Sequence, residues 1–274
     1  MQNSHNVKNI STETARNTQN GMQSDSDDGE DAGVDSQLDR ATEALRQLVL
    51  TGAFPLDEKL PEARVAELLA VSRTPARLAM AALERDGLLM RLPRRGFRVR
   101  SVSLAEVVEA IEMRGELEAV AARRIAERGL GEEDKCALRE AVARGEAILS
   151  DGVFDASRRR AWCALNDDFH HALVAACGMR PLAAAYHQVN LVPLAAPRDT
   201  IFNVAEPDLL LRQLTVAQDD HRRIVEALER RQATRAAGLI REHAYRSGEN
   251  KRRNFPHVDM QTMVMETPGI ALVR

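Results

Sequence analysis

The sequence predicts a mainly α protein, with an N-terminal winged helix-turn-helix domain followed by an all-α helical-bundle domain. The first observation behind this prediction is the segment 71–100, where a helical pattern is followed by two short strand patterns joined by a basic turn. The second is the region 103–250, where helical patterns follow one another and no strand pattern interrupts them. Composition agrees with both, since aromatic residues make up only 3% of the chain while Ala, Leu, Arg and Glu are abundant.

The chain is predicted to begin with a disordered tail. Residues 1–34 are rich in Asn, Ser, Thr, Gln, Asp and Gly and contain few large apolar residues, so they cannot bury enough surface to order themselves. The winged helix-turn-helix domain is predicted over residues 35–101. Its first helix is predicted over residues 36–51 from an amphipathic stripe, and its second over residues 61–70.

The third helix and the hairpin after it carry a concentrated positive charge. Residues 71–100 contain eight arginines against Glu84 and Asp86, a net charge of +6 in a chain whose net charge is −3. Ser72 is a suitable N-cap for this helix, and Pro75 lies in its first turn, where a missing N–H costs little. A solvated surface face is the alternative explanation, but an otherwise acidic chain makes such a concentration of charge more typical of nucleic-acid binding.

A short helix followed by a basic hairpin suits double-stranded DNA. The helix can enter the major groove, while the tip of the hairpin reaches a neighbouring phosphate or the minor groove. The candidate DNA-binding residues lie on one face of the helix or in the turn of the hairpin, and they are Arg73, Thr74, Arg77, Arg94, Arg95 and Gly96.

The second domain is predicted over residues 102–250. Ser103 and Glu106 form a capping box that begins its first helix. Six helices are predicted, near residues 103–128, 131–150, 154–178, 180–192, 205–231 and 233–250. Residues 251–274 begin with three basic residues and show no clear periodicity, so they are predicted to form a loosely attached C-terminal tail.

Three histidines and an asparagine are candidate metal ligands in the helical domain. Asn166 and His170 lie four residues apart and therefore project from one face of a helix. His221 and His243 lie on successive helices, which antiparallel packing could bring together. Imidazole suits Zn, Ni, Mn or Fe, and an added water or carboxylate would favour six ligands over a closed structural zinc site. Spacing alone is a weak signal, because histidines on helices are more often surface or core residues.

The predicted winged helix resembles the DNA-binding domain of the GntR family of bacterial transcriptional regulators. The resemblance covers about residues 37–101, and the motifs that carry it are VSRTPAR and the stretch from ALERDGLL to RRGFRV. It implies that Arg73 and Arg77 approach bases or phosphates in the major groove, and that Arg95 and Gly96 form the tip of the wing.

Two positions depart from that family pattern. Leu78 stands where the family usually has Glu, and Ala63 replaces a basic residue that is often found in the second helix. The preferred base sequence is therefore expected to differ from the usual operator of the family.

The second domain resembles the FCD ligand-binding domain of the same family. The resemblance is placed over residues 114–250, and the motifs that carry it are EMRGELEAVAARRIAE, which begins at Glu112, LNDDFHHALVAACG and DHRRIVEALERRQATRAAGLIREH. Many members hold a divalent metal ion with a carboxylate or amide four residues before the FHxAL histidine and with two later histidines. The metal ligands that the resemblance implies are Asn166, His170, His221 and His243. Asp is commoner than Asn at the first position, and a neutral amide oxygen is a weaker ligand, so lower metal affinity is expected.

The same resemblance points to Arg114 as a ligand-binding residue. Family members often turn this arginine into the cavity, and a buried guanidinium needs a bidentate acceptor such as a small carboxylate. The alternative is a salt bridge between Arg114 and an acid that faces the core.

The expected function is that of a ligand-responsive bacterial transcriptional regulator that acts as a repressor. A homodimer would bind a pseudo-palindromic DNA operator and be released by a small organic acid held in the helical domain. A metal-dependent enzyme is one alternative, but no catalytic motif such as H-E-x-x-H is present, and we expect no enzyme activity. A DNA-architectural protein without an effector is the other alternative.

A cytoplasmic location is also expected from the sequence. The three cysteines lack C-x-x-C spacing and fit reduced thiols. No apolar run approaches the roughly 20 residues needed to span a bilayer, and the N-terminus lacks an apolar signal segment, so no membrane partner is expected.

Overall fold

Helices dominate the computed structural model, which describes residues 28–56, 58–93, 96–150, 152–258, 264 and 267–274. The helices among them are α1 (Asp28–Leu50), α2 (Glu62–Leu68), α3 (Arg73–Arg85), α4 (Leu104–Arg128), α5 (Glu132–Leu149), α6 (Ala156–Cys177), α7 (Arg180–Val189), α8 (Pro207–Glu229) and α9 (Ala233–Asn254). The strands are β1 (Lys59–Leu60), β2 (Leu89–Arg91) and β3 (Phe97–Val99). Short 3₁₀ turns follow at Phe255–His257 and Ile270–Leu272. The predicted fold class is confirmed.

The first helix begins earlier than predicted. It starts at Asp28, so residues 28–34 of the predicted disordered tail are helical. Helix propagation is cooperative, and a helix can therefore extend beyond the apolar stripe from which its start was predicted. Residues 1–27 of the predicted tail lie outside the described residues. Residues 37–274 form one compact unit.

The winged-helix core lies between α1, α2, α3 and a three-stranded antiparallel sheet in the order β1-β3-β2. Strand β1 was not predicted, because two residues are too short to show an alternating pattern. It pairs with β3 through Lys59 opposite Arg98 and Leu60 opposite Phe97. The largest side chains in this core are fully or almost fully buried, and they include Leu45, Val49, Phe54, Leu60, Val65, Met80, Leu83, Phe97 and Val99.

The helical domain begins with the predicted capping box. The Ser103 hydroxyl accepts a hydrogen bond from the Glu106 backbone N–H, and the Glu106 carboxylate accepts one from the Ser103 N–H. All six predicted helices are present, and α9 continues to Asn254, four residues beyond its predicted end. Helices α4 and α9 approach closely where Gly115 faces Ala244: a Cβ at Gly115 would lie 2.4 Å from that of Ala244.

The C-terminal segment 267–274 is docked, not loosely attached. Leu272 is fully buried in the winged-helix core, and Ile270 packs in a second apolar cluster that contains Ile111 of α4. The backbone is paired as well: the N–H of Val102 donates to the Leu272 carbonyl at 2.8 Å, and the N–H of Arg274 donates back to the Val102 carbonyl at 2.9 Å. The prediction of a loose tail was wrong for this segment because a short run with irregular periodicity can still bury alternate apolar residues against existing cores.

Truncating the docked segment at one side chain tests its contribution to stability. Leu272→Ala is expected to lower the free energy of unfolding by about 2–5 kcal/mol, since it leaves a cavity in a packed core. Urea denaturation of the full chain measures this change. Leu68→Ala is the matched control, because Leu68 is 52% exposed and such surface substitutions usually change stability by less than about 0.5 kcal/mol. Equal costs for the two variants would contradict the docking.

Candidate functional site

Helix α3 presents a polar face opposite its buried side. Its buried residues are Ala76, Ala79, Met80 and Leu83. The side chains of Arg73, Thr74 and Arg77 are all exposed, as the predicted DNA-contacting face requires. Ser72 is the N-cap residue, as predicted, although its side chain makes no capping hydrogen bond.

The hairpin brings further cations beside this face. A surface groove next to the wing is lined by Lys59, Arg77, Arg91 and Gly96, among other residues. Gly96 has a φ of +102°, and a Cβ there would lie 3.2 Å from the Leu60 carbonyl oxygen, so the turn favours glycine. The predicted wing residues Arg94 and Arg95 lie outside the described residues.

Two arginines of the basic segment are held by other parts of the domain. The Arg91 guanidinium lies over the Phe97 ring and pairs with Glu84 at 2.8 Å. Arg100 pairs with Glu106 at 2.9 Å, next to the capping box. In the described part of the segment, the positive charge is therefore partly structural, while Arg73 and Arg77 on α3 are exposed.

The three predicted histidines meet in the interior of the helical domain. His170 comes from α6, His221 from α8 and His243 from α9, and their exposed fractions are 0%, 1% and 5%. The Nε2 atoms of His170 and His243 are 3.3 Å apart, and the three potential ligand atoms all lie within 4.8 Å of one another. The Nε2 atom of His221 is buried without a hydrogen-bond partner. Three separate helices thus place imidazole nitrogens around one point.

Two of the histidines each have a carboxylate close to the Nδ1 atom. The Nδ1 atom of His170 is 2.9 Å from a carboxylate oxygen of Glu118, and Nδ1 of His243 is 3.4 Å from Asp220. Arg246 holds Asp220 through two contacts of 2.7 Å. A carboxylate at Nδ1 favours the tautomer that leaves Nε2 free to bind a metal ion.

Burial sets the protonation of this cluster. It holds the pKa values of His170 and His221 well below the usual range, so both imidazoles are neutral, as metal ligands must be. Burial also raises the pKa of Glu118 to about 6, an effect that the Arg114 charge partly offsets. Burial alone would raise the pKa of Asp220, but hydrogen bonds from His243 and Arg246 outweigh it and lower that pKa.

Arg114 lies beside a core-facing acid of the kind that the sequence offered as the alternative to a ligand. It is 1% exposed, its Nε lies 3.5 Å from Glu118 and its guanidinium donates to the Ala195 carbonyl. It is absent from the described wall of the cavity beside the histidines, and its role as a ligand-binding residue stays a prediction. Among the described residues, Glu118 is the acid that forms an ion pair with Arg114.

A cavity of about 60 Å³ adjoins the histidine cluster. Asn166, Trp162 and His243 form part of its wall, and the Asn166 amide donates to the Pro197 carbonyl at 2.7 Å. Lys251 contributes a cationic side chain that is only 4% exposed. Burial lowers the pKa of this ammonium to about 8, although the nearby Asp199 charge partly opposes that shift.

Sequence reasoning missed Glu118, Asp220 and Lys251. Glu118 could have been noticed, because Ile111, Arg114 and Glu118 share one face of α4 and two of them are charged on a face that is otherwise apolar. Lys251 fell in the predicted C-terminal tail, where no helical pattern drew attention to it.

A winged helix joined to a helical bundle that holds a buried histidine cluster is typical of a transcriptional regulator. Residues 37–99 match the bacterial regulatory proteins of the gntR family, and residues 109–246 match the FCD domain. The chain belongs to the FCD group of the gntR family. The family and its relatives are transcriptional regulators and not enzymes, so the enzyme alternative is set aside.

Individual relatives agree with this assignment. An uncharacterized HTH-type transcriptional regulator from the TAR-I ttuE-ttuC' intergenic region of Agrobacterium vitis is 32% identical over 54% of this chain and 84% of its own length. The HTH-type transcriptional repressor GlaR of Escherichia coli is 27% identical over 73% of this chain and 88% of its own length. The solved structure of Lar, which controls the expression of the Listeria monocytogenes agr system, has a TM-score of 0.56 at 17% identity, over 79% of this chain and 96% of that one. This last likeness shows the fold alone.

None of the described helices combines the length and apolar character that crossing a membrane requires.

Proposed function

We propose that the protein is a dimeric transcriptional repressor that a small carboxylate releases from a pseudo-palindromic operator, with the carboxylate held on a divalent metal ion. The observation that carries this proposal is the buried three-histidine cluster at the wall of a cavity. Because its DNA target is chromosomal, the protein would act in the cytoplasm. Two relatives are named as repressors, which supports repression over activation.

The residues fit a metal ion. Two nitrogens that bind one ion at about 2.1 Å are separated by roughly 3.0–3.4 Å, and the two Nε2 atoms of His170 and His243 are 3.3 Å apart. The unpartnered Nε2 of His221 would gain a partner on metal binding. His170, His221 and His243 would hold the ion, with Asn166 as the fourth ligand if its amide oxygen turns towards them. Zn, Ni, Mn and Fe are the candidates for this donor set.

The protein residues would prepare the site for a carboxylate ligand. A bound cation would supply the positive charge that attracts the carboxylate. Asp220 would keep the Nε2 atom of His243 directed at that point, and a Glu118 oxygen lies 2.9 Å from Nδ1 of His170. Trp162 and Phe169 stack on His221 with ring centroids 6.2 and 4.1 Å away. Such packing fixes the ligand nitrogens before an ion or an effector arrives.

DNA binding would use α3 and the wing in each of two subunits. Arg73, Thr74 and Arg77 would approach bases and phosphates in the major groove, and the wing tip with Arg94, Arg95 and Gly96 would contact the adjacent backbone. The helical domain offers apolar surface for pairing of two copies, because Met113 on α4 and Tyr245 on α9 are 57% and 55% exposed and line one groove.

Operator release tests this proposal directly. A duplex is selected from a random-sequence library by the purified protein, and its affinity is followed by fluorescence anisotropy. The protein is used as purified, after dialysis against a chelator, and after return of Zn, Ni or Mn, each with a panel of hydroxy acids, sugar acids and dicarboxylates. We expect at least one acid to weaken DNA binding by the metal-loaded protein and to have no effect on the metal-free protein.

The same experiment distinguishes the remaining alternative. A protein that selects a duplex, but that no acid releases in any metal state, would contradict an acid effector and favour a DNA-architectural role. Release by an acid in the chelated protein would contradict the metal and leave the acid effector standing.

A further inference from the structure

The cavity beside the histidines has a second polar end, formed by Lys251, Asn254 and Gln213. Lys251 and Asn254 lie in the last two turns of α9, and both are almost completely buried, with exposed fractions of 4% and 1%. They also lie beyond residue 246, where the match to the FCD domain ends.

Lys251 is a buried cation with little to balance it. Its ammonium donates to the backbone carbonyl of Asp199, and no ion pair joins it to any of the described residues. The Asp199 carboxyl is near enough for its charge to be felt, and it partly opposes the lowering of the Lys251 pKa by burial. The Lys251 ammonium donates one hydrogen bond to a neutral carbonyl, which does not balance its charge. Burying such a charge costs free energy, and a bound anion would offset that cost.

Two amide groups that line the same cavity as Lys251 each have one unpartnered atom. The Asn254 Nδ2 donates to the Ile201 carbonyl at 2.9 Å and to Gln213 Oε1 at 3.1 Å. This leaves Asn254 Oδ1 and Gln213 Nε2 buried without hydrogen bonds, and both residues line the cavity. Buried polar atoms of this kind are rare in folded proteins, and a bound ligand is one way to satisfy them.

The other cation in the described wall of the cavity is already engaged. Arg246 makes two contacts of 2.7 Å with Asp220, which in turn lies beside His243. The Arg246 charge is therefore paired with Asp220 at the histidine end of the cavity. Lys251 is eight residues after His243, which is about 12 Å along the helix axis, and side chains on a helix lean towards its N-terminus. The histidine end and the Lys251 end of the cavity are therefore separated along α9.

We infer that the effector is a short-chain dicarboxylate, with one carboxylate at the histidine end and the other bound by Lys251, Gln213 and Asn254. This inference rests on the proposed function and specifies its ligand. The ammonium and the free Gln213 N–H donate to the second carboxylate, and Asn254 Oδ1 accepts from a hydroxyl on the chain where one is present. A monocarboxylate of the same length would leave the ammonium in its unbalanced state.

Matched pairs of acids test this inference on the purified full-length, metal-loaded protein. The pairs are succinate with butyrate, glutarate with valerate, and malate with 2-hydroxybutyrate, and isothermal titration gives each Kd. We expect a diacid to bind about tenfold or more tightly than its monoacid partner, since a charge-assisted contact is gained at Lys251. Equal Kd values within every pair would overturn the inference, and this comparison needs no variant.

Variants then assign the effect to Lys251. Lys251→Met keeps the chain length without the charge and is expected to raise the diacid Kd about tenfold to that of the monoacid, while the monoacid Kd stays the same. Lys251→Gln, which can still donate to the Asp199 carbonyl, serves if the Met variant fails to fold. Arg253→Met is the matched control, because Arg253 is exposed on the same helix. Diacid binding unchanged in both Lys251 variants would also overturn the inference.

The outcomes separate this inference from the proposed function. If monoacids bind the metal-loaded protein as well as diacids do, the dicarboxylate inference fails and the carboxylate effector stands. If neither kind of acid binds, the dicarboxylate inference fails, and operator release by the wider panel of acids decides the proposed function.

Discussion

Replacing Arg73 and Arg77 together by alanine is expected to weaken binding to a selected operator duplex by about 100-fold or more. Both side chains are exposed on the face of α3 opposite its buried residues, and each arginine that contacts a base with two hydrogen bonds contributes about 1–3 kcal/mol. Fluorescence anisotropy at fixed salt measures the change in Kd.

Salt dependence shows what the two arginines contact. If both bind phosphates, the slope of log K against log salt should become shallower by about 1.8, because each phosphate contact contributes about 0.9. If they read bases, the slope changes less and the preference for the selected sequence over a scrambled duplex falls.

The matched control removes two positive charges elsewhere. Arg212 and Arg235 are exposed on α8 and α9, and replacing both by alanine changes the net charge by the same amount. We expect the control to bind the operator nearly as tightly as the wild type. If the control loses as much affinity as the α3 variant, DNA attraction is a property of total charge and the role of α3 is contradicted.

Elements with strong local signals could be predicted from the sequence. Helix α4 is an example, because the reciprocal bonds of Ser103 and Glu106 define its start and Gly129 ends it. Long amphipathic helices in a bundle show a clear helical periodicity of apolar residues. Six helices were therefore predicted near their observed positions. The two-residue strand β1 and the docked segment 267–274 could not be predicted, since their partners are distant in sequence and their patterns are too short.

The candidate metal site was likewise predicted only in part from the sequence. Spacing placed His170, His221 and His243 on three helices, but only the packing of α6, α8 and α9 shows that their nitrogens converge. The partner of Arg114 was one turn away at Glu118, and the sequence could not decide between that acid and a ligand. The choice depends on which side chains the bundle buries together, and that follows from tertiary packing.

The predicted metal site can be tested with two adjacent histidines, His170 and His171, of which only His170 belongs to the cluster. His170→Ala is expected to reduce the metal content of the dialysed protein, measured by mass spectrometry, from about one ion per chain to almost none. His170 is fully buried in the cluster, with its Nε2 near that of His243, so its loss removes one of three imidazole ligands. His171→Ala is the matched control, because His171 is exposed on the same helix and is expected to leave the metal content unchanged.

Thermal unfolding gives a second readout, because it measures whether a bound metal ion stabilises the folded protein. A ligand that binds only the folded state stabilises it, by about 2.7 kcal/mol at 100 times its Kd, so a chelator should lower the Tm of the wild type and of His171→Ala. The Tm of His170→Ala should not respond to the chelator, whatever its starting value. If all three proteins hold no metal and ignore the chelator, the cluster is a buried polar network, and the rings that stack around His221 serve the packing of α6, α8 and α9.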